Sequence, residues 1–270
     1  MKKKKRTKRK IKVITISVLC LFFLILSIVF TVKSVTKPIF SSRIEKEKKY
    51  QLTYQKESFE TVGWIQVQGT NIDYTIVFHE GGDSTYPVEV ASYAWLSNFE
   101  VGFHNHMRVT GHNVFNLSSQ PEYHSELFER FEELLGFVYY DFAKKNQYLK
   151  LTFKGKEYIY KIFAVDFMPM IKRMDYPLLD DYTKEEMESV LDIIDEYNIY
   201  DYDVDVNSDD SILTLSTCTR FFGDGYPYEF KVIGRLLRED EKIRSYSVKK
   251  NKKYEKINER LEGDDEDEEI

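Results

Sequence analysis

The stretch VGWIQVQGTNIDYTIVF, residues Val62–Phe78, decides the fold class. Its first half, Val62–Gln68, is rich in branched and aromatic residues and has the character of a strand. Gly69-Thr-Asn is turn chemistry, and Ile72–Phe78 resumes with alternating apolar positions, so the segment predicts an antiparallel hairpin. Similar strand signals follow along the chain. Met107–Thr110 is a short strand running into Gly111-His112-Asn113. Phe137–Tyr140, Tyr148–Phe153 and Glu157–Phe167 are expected as successive strands, with Gly155 at a hairpin turn. Ile212–Thr217 and Glu229–Leu237 flank the loop Thr219–Tyr228. Helical spacing occurs in Glu122–Leu135, through Leu127, Phe128, Phe131, Leu134 and Leu135, and again in Thr183–Asn198. In the second, Thr183 and Glu186 form a capping box, and Met187, Val190, Leu191 and Ile194 make one apolar face. About eight short strands with few helices predict one mainly β domain, a closed or nearly closed barrel.

Outward from that domain the chain of 270 residues changes character at both ends. Low glycine, proline and cysteine counts, with 15% aromatic residues, exclude collagen-like, wholly disordered and disulfide-scaffold classes. The net charge of -6 conceals a basic start and an acidic finish. Residues 1–12 form a basic flank. Residues 13–32 contain no charge, and a helix of that length spans about 30 Å, the hydrocarbon thickness of a bilayer. The basic flank places the N-terminus in the cytoplasm and the rest of the chain outside. A retained anchor is favoured over a cleaved signal peptide, because the apolar run is long and no Ala-x-Ala site follows. Residues 33–60 are expected as a spacer with a helix around Arg43–Tyr54, and 61–238 as the domain. Residues 239–270 are expected as a charged extension, a solvated helix and then a disordered acidic tail. The one basic cluster adjoins an apolar run, which excludes a nucleic-acid binder.

The chemistry narrows by elimination. The five histidines are His79, His104, His106, His112 and His124, and none has zinc-site spacing with a cysteine. There is no phosphate-binding glycine loop and no Gly-x-Ser-x-Gly elbow, so no cofactor or metal is expected. Cys20 lies in the apolar run and Cys218 in the exported domain, so the two cannot pair. Cys218 ends the strand Ile212-Leu-Thr-Leu-Ser-Thr, where a side chain is both rigidly held and accessible. His112 has a similar place after Val109-Thr-Gly. A thiol titrates around 8.5 unless a cation or base lies nearby, and an imidazole supplies both the charge and a proton for a leaving amine.

Thr214-Leu-Ser-Thr-Cys218 and Gly111-His112-Asn113 resemble the two signatures of sortases, the cysteine transpeptidases of Gram-positive surfaces. Val62–Tyr74 resembles the opening segment of the same family. Leu127-Phe-Glu-Arg-Phe through Tyr160-Lys-Ile-Phe-Ala-Val, followed by a long helix before the Cys strand, is most similar to class B. The resemblance runs from about Arg43 to Arg238, with His112 and Cys218 in the family order, 106 residues apart. It implies an eight-stranded sortase barrel that cleaves a C-terminal sorting signal after Thr. Cys218 would form an acyl-thioester, His112 would be the acid/base partner, and an amine would release the product. That amine belongs either to a cell-wall precursor or, alternatively, to a pilin Lys. A sortase-like envelope assembly module with impaired catalysis is the remaining reading.

One departure stands out. Where the family has an arginine early on the strand after the Cys loop, this chain has Glu229, which cannot donate to an oxyanion. Arg220 is the favoured substitute, with Lys231 as the alternative and Arg235 more distant.

Overall fold

The computed structural model describes residues 40, 60–78, 94–113, 131–170, 172, 178–219, 221–222 and 228–263. All but Phe40 fall in the unit spanning residues 42–270. The expected anchor at 13–32, the spacer helix and Arg220 lie outside the described residues, as do His79, His124, the Glu122–Arg130 part of the first expected helix and the acidic tail from 264 onward.

Eight strands close a barrel. They are β1 (Glu60–Val67), β2 (Asp73–Phe78), β3 (Ala94–Leu96), β4 (His106–Gly111), β5 (Tyr148–Phe153), β6 (Lys156–Pro169), β8 (Ile212–Thr219) and β9 (Tyr228–Leu236). Their order around the barrel is β1-β2-β3-β4-β8-β9-β6-β5. The opening hairpin forms as its pattern predicts, with Gln66 opposite Asp73 and Trp64 opposite Thr75. Its turn is fixed from outside. The backbone N–H and side-chain amide of Asn71 donate to the buried carboxylate of Glu133, at 2.7 and 2.9 Å. The β5–β6 hairpin turns through Lys154 and Gly155, both at positive φ, the conformation that a two-residue turn between twisted strands needs.

Inward-facing Ile65, Ile76, Leu96, Val109, Leu151, Val165, Leu215 and Val232 fill the barrel. Each contributes roughly 1.5–3 kcal/mol by leaving water. A second core lies outside the wall. Helix α2 (Lys184–Tyr197) starts at the capping box Thr183–Glu186 and lays Met187, Val190 and Ile194 against Phe163, Ala164, Met168, Ile212 and Ile233.

Two expectations are corrected. Phe137–Tyr140 is not a strand. Phe131–Val138 is a 3-10 helix, followed by helix α1 (Tyr140–Lys145). Phe131, Leu134, Leu135, Phe137 and Val138 are all buried, and a run as short as Phe137-Val-Tyr-Tyr140 carries no period to separate helix from strand.

The domain also continues past 238. The chain returns along the barrel, and Tyr246 donates its hydroxyl to the carbonyls of Gln147 and Ile162 at 2.6 and 2.7 Å. Strand β10 (Val248–Lys250) then pairs with β7 (Tyr200–Tyr202), and helix α3 (Lys252–Gly263) buries Tyr254 and Ile257 against the barrel core. The helix expected there exists but is docked. Three buried apolar side chains spread over ten charged-rich positions give too sparse a signal to read.

Candidate active site

β4 and β8 run parallel and in register, from His106 opposite Ile212 to Thr110 opposite Ser216. The pairing is reinforced by a row of hydroxyls. Ser97 Oγ lies 2.7 Å from Thr110 Oγ1, which lies 3.0 Å from Ser216 Oγ. Side chains two residues apart on a strand share a face. Cys218 therefore points to the side of Ser216, on the outer wall of the barrel. Continuing the register by two residues brings His112 level with Cys218.

The turn carrying His112 is pinned on both sides. Thr217 donates to the carbonyl of Gly111 at 2.8 Å, and the side-chain amide of Asn113 donates to the carbonyl of Cys218 at 2.9 Å. Gly111 is required by close approach, since a Cβ there would lie 2.3 Å from the Phe131 ring. Trp95 of β3 packs its ring 4.6 Å from the His112 imidazole. The result is a half-buried imidazole beside an exposed thiol.

The other described histidines have different work. His106 is fully buried, with Nε2 2.9 Å from the Thr214 hydroxyl. Burial first, and then the charges of Arg108 and Lys231, push its pKa well below the ordinary value, so it is a neutral structural residue. His104 pairs through Nδ1 with Asp181 at 2.9 Å. Arg108 is sequestered as well, donating to the Leu179 carbonyl and the Tyr182 hydroxyl.

Across β8 the register is equally informative. Glu229 is the cross-strand partner of Cys218, and Lys231 that of Ser216. On the far side of β9, Met168 opposes Glu229 and Asp166 opposes Lys231. The Lys231 ammonium reaches the Cys218 row, donating to Met168 Sδ at 3.0 Å and lying 3.4 Å from the Glu229 carboxylate.

Of the three proposed cations, Lys231 is thus the one that the described residues place beside the Cys218 row. Arg235 sits opposite Ile212 at the other end of β9, roughly 20 Å away at about 3.4 Å per residue, and clamps Glu241. It is excluded from the site. Trp95 was not legible as a site residue, since a three-residue strand such as β3 carries no pattern, and Asn113 was read only as part of the Gly111-His112-Asn113 signature. Asp166 left one signal, a lone acid in the apolar run Ile162–Met168.

A closed eight-stranded barrel with a thiol at the rim of one strand and an imidazole at the rim of its parallel neighbour is the architecture of a cysteine acyl-transfer enzyme. The sortase domain family matches residues 65–237, and the chain belongs to that family, the cysteine transpeptidases. Sortase B from Clostridium perfringens is similar in structure, with 23% identity and a TM-score of 0.54, over 66% of this chain and 94% of that one. The Staphylococcus aureus sortase B–substrate complex gives 19%, 0.51, 67% and 81%. Sortase B from the type II pilus of Streptococcus pneumoniae gives 19%, 0.51, 73% and 98%. No curated protein matches the chain.

Proposed function

We propose that this chain is a membrane-anchored transpeptidase that joins secreted proteins to the cell wall, with Cys218 as nucleophile and His112 as its acid/base partner. The observation carrying this reading is the shared register of β4 and β8, which brings the two residues level at one rim. Cys218 Sγ attacks the Thr carbonyl of a sorting signal. The C–S bond forms, the C–N bond breaks, and the imidazolium of His112 protonates the departing amine. An incoming amine then transfers a proton to His112 and attacks the thioester, forming a new amide, breaking the C–S bond and restoring the Cys218 thiolate beside the His112 imidazolium. The uncharged run 13–32 holds the domain at the outer membrane surface, next to both peptide and acceptor.

Full-length protein in detergent, incubated with sorting-signal peptides and a panel of amines, tests the reading by mass spectrometry. The expected products are a protein–peptide thioester and the peptide–amine conjugate, both absent in Cys218→Ala. Undiminished turnover by that variant overturns it. The panel includes cell-wall cross-bridge peptides and Lys-bearing pilin peptides, so transfer to the latter alone identifies a pilin polymerase instead.

A further inference from the structure

The outer wall beside Cys218 holds, besides the candidate cation Lys231, two carboxyl groups that the acyl-transfer steps leave without a role. Along one face, Cys218 is paired with Glu229, Glu229 with Met168, and Lys231 with Asp166. Residues directly opposite on antiparallel strands have Cβ atoms about 4.5–5.5 Å apart. Glu229 is therefore a direct neighbour of the thiol, and Asp166 lies one strand and one row further away. The side chains of Lys231 and Glu229 are only 5% and 10% exposed, and Asp166 is fully buried.

Two carboxylates here share one ammonium. Lys231 meets Glu229 and Met168, and neither oxygen of Asp166 meets a hydrogen-bond donor among the described residues. A buried carboxylate in that position holds its proton, because ionising it would place a second negative charge beside one ammonium. Burial, with the Glu229 charge adding to it and Lys231 opposing, pushes Asp166 up to about 7.

We propose that Asp166, Lys231 and Glu229 are positioning residues for the Cys218 thiol, a charge ladder whose net charge changes by one unit when Asp166 exchanges its proton. With Asp166 neutral, Lys231 and Glu229 balance and the thiolate is tolerated. With Asp166 ionised, the ladder is negative and opposes the thiolate. The proposal rests on the reading of Cys218 as nucleophile.

Among the described residues, β4 contributes His106, held neutral, the Arg108 cation, held by Leu179 and Tyr182, then Thr110 and the His112 turn beyond it. β8 contributes Ile212, Thr214, Ser216 and Cys218 to this face, and β9 adds Ile233 and, at its far end, Arg235. Asn198 bridges to the Asp166 main chain, and α2 turns apolar Met187, Val190 and Ile194 towards this wall.

The pH dependence of Cys218 alkylation by iodoacetamide tests this without any substrate. Measurements on the full-length protein are made with His112 intact and again in a His112→Gln background, so that inflections beyond that of the thiol itself belong to the ladder. The expected wild-type curve is broader than a single ionisation. Asp166→Asn should narrow it to one ionisation with a lower midpoint. Glu229→Gln should lower the midpoint by about one pH unit, a tenfold gain in thiolate on its acid side. Lys231→Met should raise it by a similar amount, and Lys231→Arg should stay near wild type. If Lys231→Met does not fold, the two carboxyl variants decide alone. Curves for Asp166→Asn and Glu229→Gln that superimpose on wild type overturn the ladder, even if peptide transfer is normal. Shifted curves in a protein that transfers no peptide would leave the ladder standing and remove the transpeptidase reading.

Discussion

Asn113 grips the strand end that bears the thiol: its side-chain amide donates to the main-chain carbonyl of Cys218 across 2.9 Å. The two signature segments, distant in sequence, are thereby tied by a bond that uses no reactive atom. Such a hydrogen bond contributes about 0.5–1.5 kcal/mol. Asn113→Ala should therefore lower kcat for peptide transfer up to roughly tenfold while leaving KM for the sorting peptide nearly unchanged. A change in KM alone would contradict this role.

Gly111 immediately precedes His112, and its Cα faces the Phe131 ring with no room for a methyl group. Gly111→Ala should destabilise the domain by about 1–3 kcal/mol, the usual cost of overpacking, and reduce activity by displacing the imidazole. Urea denaturation provides the first measurement and peptide transfer the second.

Arg235 is 1% exposed, and Glu241 meets it with both carboxylate oxygens. Glu241→Gln would strand a buried guanidinium. Because Glu241 itself is partly exposed, the expected loss is about 2 kcal/mol, less than for a fully buried pair. Arg235 first, and then the Arg238 backbone N–H and Lys161, hold the Glu241 carboxyl far below its ordinary value of 4.5. The stabilisation is therefore full above that value and is lost as pH falls towards the depressed one. Denaturation midpoints of wild type and variant should converge in acid.

Asp166 works in the opposite direction. Its pKa is raised from 3.8 to about 7, so between those values the folded chain keeps a proton that the unfolded chain releases. Stability is lost as pH rises through this window and levels off above it. Asp166→Asn removes that slope, and its thermal midpoint relative to wild type should be more favourable at pH 8 than at pH 4. A constant difference across this range would show that Asp166 is ionised throughout.

The sequence made local features readable. The opening hairpin and the Thr183–Glu186 capping box depend on residues within a few positions of each other, and both formed as expected. Strands β3, β7 and β10 were invisible because three residues cannot display a period of two. The candidate nucleophile and base were legible through short motifs, but their alignment arises from a parallel pairing that no local pattern encodes. Glu229 was identified as a departure and Lys231, two residues on along the same strand face, as an alternative cation, whereas Asp166 came into view only with β6 and β9 side by side. Arg235 was considered a cation for the site only because strand direction and distance are not written in residue type.

The parallel joint between β4 and β8 also has a kinetic meaning. His106 pairs with Ile212, so the loop closed by that joint includes more than a hundred residues, and topologies dominated by such distant pairings fold slowly. A growing chain that has made β3 and β4 but not β8 has no thiol in the domain, and its His112 turn lacks the Thr217 and Cys218 contacts that pin it. Reactivity therefore arrives late and all at once, when the barrel shuts. During refolding, recovery of Cys218 reactivity should follow the slowest phase of barrel closure rather than the formation of helix α2.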